Sequence, residues 1–131
     1  MFTAQMLKTS SASGPRLDVD RLAECIEACL ACTQSCTSCA DACLSEEGDL
    51  RMCIAANLTC ADICATTARI LSRTTVQNLA VVRAELTTCM LACRACAEEC
   101  ERHEHEHCRV CAQACRECEQ LCLGLARAIE L

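Results

Sequence analysis

The sequence predicts an all-α protein, an antiparallel up-down-up-down four-helix bundle with a cysteine-lined core. Three observations predict it. From Asp18 to Leu131 there is no proline, and the only glycines are Gly48 and Gly124, while Ala, Leu, Glu, Arg and Gln, all favourable in helices, run throughout. The 18 cysteines recur at steps of three and four, the period of a helix that turns one stripe toward its partners; a strand would need period two. The breaks between periodic segments are short, and short links make neighbouring helices antiparallel.

Taken in order, residues 1–17 read as a flexible N-terminal tail carrying Ser10, Ser11, Ser13, Gly14 and Pro15, with room for a single helical turn. Residues 18–131 read as one bundle domain, the only domain that 131 residues accommodate. Its first helix spans roughly 18–46, with Cys25, Cys29, Cys32, Cys36, Cys39 and Cys43 spaced 4-3-4-3-4. Gly48 suits a left-handed cap that ends this helix, and Asp49 suits the N-cap of the next. The second helix, about 50–72, carries Cys53, Cys60 and Cys64; the intervening slot is Asn57, and later slots are Thr67 and Leu71. The cap formers Ser72–Thr75 separate it from the third, about 76–103, with Cys89, Cys93, Cys96 and Cys100. His103–His107 is a charged run without an apolar anchor. The fourth helix, about 106–130, carries Cys108, Cys111, Cys115, Cys118 and Cys122.

Composition excludes several functions. A net charge of −6 and no basic run argue against nucleic acid and anionic membrane surfaces as partners. One phenylalanine and no Trp or Tyr exclude stacking platforms for bases or flavins. The opening residues lack the apolar core of a secretory leader, and no stretch of 18 apolar residues would cross a membrane. A cytoplasmic location follows as the expectation, and there thiols stay reduced, so metal binding is favoured over a disulfide scaffold.

Cysteine is a small hydrophobe, and one or two at core positions would need no explanation. A full stripe on four helices does, because cysteine buries less apolar area than the leucine it displaces. Residues i and i+4 of a helix have Cβ atoms about 5–6 Å apart, and two sulfurs across a metal at about 2.3 Å lie about 4.6 Å apart. Each CxxxC pair can therefore hold one metal ion in near-linear coordination. Soft thiolates select Cu(I), Zn²⁺ or iron–sulfur clusters; linear two-sulfur coordination suits Cu(I), whereas Zn²⁺ takes four ligands. Charge favours the same metal. One Cu(I) per thiolate sums to zero, so filling adds no net charge to a buried core, whereas zinc with four thiolates leaves two negative charges per site.

Other cysteine chemistries fit less well. The CxxC steps are the three-residue steps of the repeat; none lies in an iron–sulfur loop, precedes a haem-binding histidine or sits in a βαβ unit. A nucleophilic enzyme needs one activated thiol rather than a uniform row, so no enzyme activity is expected. Zinc or thiol-redox buffering is the alternative function.

With the CxxxCxxC array of 25–43 and its counterparts at 89–100 and 108–122, residues 18–131 resemble the cytosolic copper storage proteins, four-helix bundles with cysteine-lined interiors. The resemblance implies storage of many Cu(I) ions by the interior thiolates, assembly as a homotetramer, and histidines near one mouth of the bundle; the charge balance above sets the number at roughly one per cysteine, and a copper chaperone is a candidate partner.

The two ends of the bundle differ in sequence. The 46–49 and 103–106 links share one end, with Cys43, Met52, Cys53, Cys100, Cys108 and the three histidines. The opposite end holds Leu22, Leu71, Leu79, Val82, Leu86 and Leu125, an apolar plug. Extending the third helix's stripe past Cys100 reaches His103 and then His107, which are expected to join the 18 cysteines as ligands and to assist copper in from that mouth. Ile54, Leu58, Ile63, Met90 and Leu91 lie off the cysteine stripe; a second apolar face predicts a homo-oligomer.

Overall fold

The computed structural model describes residues 1–10 and 17–130. A short helix, α1 (Thr3–Leu7), precedes four long ones: α2 (Val19–Cys43), α3 (Arg51–Leu71), α4 (Leu79–Cys100) and α5 (Glu106–Arg127). Among the described residues there is no strand. The long helices pack as a ring in which α2 meets α3 and α5, and α4 meets α3 and α5. This is the up-down-up-down bundle that the sequence predicts.

The helix ends follow local chemistry. Asp18 caps α2, its carboxylate accepting from Arg21 N at 2.9 Å, and Asn78 caps α4 through Val81 N at 3.2 Å. Each long helix is shorter at its C-terminus than expected. Gly48 does take a positive φ of 94°, but α2 has already ended at Cys43, so this glycine turns the link instead of capping the helix. The residue at the N-cap of α3 is Leu50, not Asp49; Asp49 still accepts from Arg51 N at 3.1 Å and pairs with the Arg51 guanidinium at 2.7 Å. The expected cap cluster at Ser72–Thr75 yields to Asn78 for α4.

Between the helices, the interior divides along its length. At one end Leu22, Leu71, Val82, Leu86 and Leu125 are buried, with Leu79 partly buried against them. Leu7 of α1 is buried there as well, beside Leu17, Val19, Leu22, Thr74 and Gln77. Burying each of these leucines contributes about 1.5–3 kcal/mol, so the plug anchors a bundle whose other half is built from smaller side chains. Residues 11–16, the Ser/Gly/Pro part of the expected tail, lie outside the described residues. Thr67 marks the border of the plug: fully buried, it donates to Glu85 Oε2 at 2.7 Å.

Candidate metal centre

Beyond Thr67 the interior is sulfur. All 18 cysteines are free and buried, none more than 3% exposed. The period of the sequence places them so: α2 contributes six, α5 five, α4 four and α3 three, and each stripe faces the other helices. Contacts within a helix and across helices are equally short. Cys32 Sγ lies 3.8 Å from Cys36 Sγ on its own helix, 3.6 Å from Cys115 Sγ and 3.8 Å from Cys60 Sγ. Cys64 and Cys93 approach to 3.6 Å, as do Cys25 and Cys122.

These distances are those of neutral thiols in contact. A near-linear two-sulfur site needs about 4.6 Å, so a CxxxC pair such as Cys60 and Cys64, at 3.9 Å, must open slightly to hold one ion. The array offers more than isolated pairs. Four donor atoms lie within 4.8 Å of one another in the sets Cys29, Cys89, Cys118, Cys122 and Cys32, Cys64, Cys93, Cys118, and again in Cys32, Cys36, Cys60, Cys115 and Cys36, Cys96, Cys111, Cys115. Cys32, Cys36, Cys115 and Cys118 each belong to two sets, so a thiolate at these positions can bridge neighbouring metal ions.

Asn57 fills the interrupted slot of α3. It is fully buried, and its Oδ1 accepts from the thiols of Cys96 and Cys111 at 3.1 Å and of Cys100 at 3.7 Å, while Nδ2 faces Cys53 Sγ at 3.5 Å. A buried amide without partners would be costly; here the thiols satisfy it. Its place between thiols was visible in the sequence as a missing cysteine, but its contacts were not.

At the mouth, the structure separates the two predicted histidines. α4 ends at Cys100, so the stripe does not run on to His107 as the sequence reading expected; His107 instead lies in the first turn of α5. There its Nδ1 sits 3.3 Å from Cys39 Sγ and 3.6 Å from Cys108 Sγ. With Cys43 these form a further four-donor set. His103 is half-buried, with Nε2 3.5 Å from Glu99 Oε1. His105, at the N-cap of α5, stacks on His107 with ring centroids 5.4 Å apart. Glu46 joins them: Oε2 lies 3.2 Å from His105 Nδ1 and Oε1 3.3 Å from His107 Nε2. Sequence reasoning missed Glu46, whose only signal was its place in the link at this end. Met52, expected at the mouth, is 72% exposed, and Met90 lies against Arg94 Nη2 at 3.9 Å.

At the mouth, burial favours the neutral form of three thiols. Burial, then the neighbouring Cys53 and Cys39, pushes the Cys43 thiol up to about 12. Burial likewise raises Cys53 and Cys108. These three thiols must therefore release a proton to bind metal. The arrangement can accept many soft, singly charged cations in exchange for protons, with no change in core charge.

Known proteins share this arrangement. Residues 18–127 match the family of copper storage proteins. A copper storage protein from Streptomyces lividans, loaded with 10 copper equivalents, is 49% identical and superposes with a TM-score of 0.94, over 97% of this chain and 99% of that one. The cytosolic copper storage protein from the same organism, loaded with five coppers, gives 52% identity and a TM-score of 0.83 over 85% and 96% of the two chains. The metal-free copper storage protein 3 of Bacillus subtilis gives 36% and 0.70 over 79% and 96%. An uncharacterised cysteine-rich protein of Bacillus subtilis (strain 168) is 36% identical over 104 residues, 78% of this chain and 93% of its own length. With the match running from the first turn of α2 to the end of α5, the chain belongs to the copper storage protein family.

Proposed function

We propose that this protein stores Cu(I) in the cytosol, sequestering roughly one ion per cysteine inside the bundle. The observation that carries this reading is the continuous interior of 18 buried, unpaired thiols, in which single sulfurs belong to two candidate metal sets. Bridging thiolates and two-coordinate Cu(I) give an uncharged core. The copper-loaded Streptomyces relatives support the same cargo, and the description of one as cytosolic supports the compartment.

In this reading the chain is a store rather than an enzyme. Copper passes the mouth at His103 and His107, delivered by a copper chaperone. The plug of Leu71, Leu86 and Leu125 closes the far end. The exposed Leu30, Leu58 and Leu91, with partly buried Ile54, Ile63 and Met90, supply the apolar faces for a homotetramer.

Replacing Cys32, Cys36, Cys96 and Cys115 by Ala tests where the ions sit. These four lie in the overlapping sets at the centre of the array. Anaerobic Cu(I) capacity is expected to fall by about four ions or more, with helix content retained. Unchanged capacity would place the ions outside the bundle interior and overturn the proposal.

A further inference from the structure

The set at the mouth differs from the others described above: it has three sulfurs and one nitrogen, and it borders water. We infer that Cys39, Cys43, Cys108 and His107 form a tetrahedral site for one zinc-class divalent cation, which occupies the mouth of the copper-free protein and must leave before Cu(I) passes. The inference rests on the copper-storage reading and adds a regulation to the same mouth.

Geometry comes first. Zinc bonds of about 2.3 Å to sulfur and about 2.0 Å to nitrogen set tetrahedral donors about 3.8 Å (S···S) and about 3.5 Å (N···S) apart. Cys39 and Cys108 Sγ are 3.9 Å apart, and His107 Nδ1 lies 3.3 and 3.6 Å from them; the Cys43 sulfur completes the set within 4.8 Å. Three of the four donors are already at tetrahedral spacing, and Cys43 needs only a small shift to complete the set.

The outer shell agrees. A histidine that ligates through Nδ1 carries its proton on Nε2, and metal-bound histidines commonly present that proton to a carboxylate. Glu46 Oε1 stands 3.3 Å from Nε2, just off hydrogen-bond alignment, and its other oxygen is held by His105 at 3.2 Å. The stacked ring of His105 holds the imidazole in place from one face.

Charge then confines zinc to this end. Binding here releases three protons and leaves one net negative charge, beside a His107 ring 23% exposed. The four deeper sets described above each have four cysteines, none more than 1% exposed, and zinc there would leave two negative charges without water, a costly burial. Cu(I), softer and better matched to thiolate, displaces the zinc, which departs as Zn²⁺.

The test uses the full, reduced, metal-free chain under anaerobic conditions. Zn²⁺ is added and competed with a chromophoric zinc chelator; Co²⁺ serves as the spectroscopic probe of geometry. One Zn²⁺ retained per chain, and a tetrahedral cobalt spectrum with sulfur-to-metal charge transfer, is expected. Subsequent Cu(I) should release that one Zn²⁺, and zinc-loaded protein should take up Cu(I) more slowly than metal-free protein. His107→Ala should abolish retention against the chelator, and Glu46→Gln should weaken it about 10- to 100-fold. No retained zinc, about four zinc ions per chain, or wild-type affinity in a folded His107→Ala protein would each overturn the inference. Cu(I) titration of the same preparation separates the two readings. Full Cu(I) uptake without zinc retention overturns the zinc site and leaves the store intact. Zinc retention without Cu(I) uptake overturns the store itself.

Discussion

His107 and Asn57 show how single residues adapt a leucine-zipper-like stripe to soft-metal chemistry. Asn57 fills a slot where the repeat of cysteines is broken, His107 stands just before the first cysteine of α5, and each turns a polar atom onto two or more sulfurs. Asn57 was visible in the sequence as a departure from the period and His107 as an extension of the stripe beyond Cys100, yet their roles were only half legible. The period located Asn57 at an interior slot; the order of helices, not the period, decides that His107 reaches Cys39 from α5. Glu46 had no sequence signal of its own, because link residues carry no periodicity. The role given to the histidines is kinetic. On the proposed reading, an imidazole at the mouth binds copper and exchanges it more readily than a buried thiolate pair. The double variant His103→Ala, His107→Ala is therefore expected to slow Cu(I) uptake in stopped-flow mixing with a Cu(I) donor, several-fold more than it lowers final capacity. Equal rates would make both histidines bystanders.

Helices α4 and α5 are joined by an ion-pair network outside the sulfur array. Glu119, with a side chain 5% exposed, pairs with Arg94 Nε at 2.8 Å and Arg116 Nη1 at 2.9 Å, and Arg116 reaches on to Glu101 at 2.7 Å. Burial pushes the Glu119 carboxyl up, but hydrogen bonds from Arg94 and Arg116 outweigh it, and the net shift is downward from 4.5. A depressed folded-state value means stability that is present above the ordinary carboxylate range and lost as pH falls through the folded value. The arginines are 43% and 39% exposed, so solvent screening limits the contribution to about 1 kcal/mol. Glu119→Gln should lower the urea-unfolding free energy of the metal-free protein at neutral pH by that amount, and the gap from wild type should close as the pH falls through and below the ordinary carboxylate range. A gap that stays constant with pH would assign the loss to packing instead. None of this network was read from the sequence, since charged residues on α4 and α5 also suit a solvated face. The helix ends were similarly beyond it: Asn78, rather than the Ser–Thr cluster upstream, starts α4 because its side chain reaches Val81 N.

The molecule as a whole is an apolar plug joined to a sulfur-lined chamber with one polar mouth. That polarity was legible, because the leucines and cysteines of each helix segregate along its length: Leu22 precedes the cysteines of α2, and Leu125 follows those of α5. The docking of Leu7 beside the plug was not, because a five-residue helix has too few turns to show a period. Neutral thiols pack as small apolar groups, so the fold is complete before metal arrives. Reduced, metal-free protein should give a strongly helical far-UV circular dichroism spectrum that changes little on copper loading; a coil spectrum that becomes helical only with copper would instead describe a metal-nucleated domain.

On the copper-storage reading, the capacity of the interior is set by its thiolates. This is tested most directly by anaerobic titration of reduced, metal-free protein with Cu(I) in the presence of a chromophoric Cu(I) chelator. The protein should withhold copper from the chelator up to about one ion per cysteine, close to its 18 thiols, before any coloured complex forms. A ceiling of about four ions per chain, the number that separate four-thiolate sites would allow, would contradict that reading.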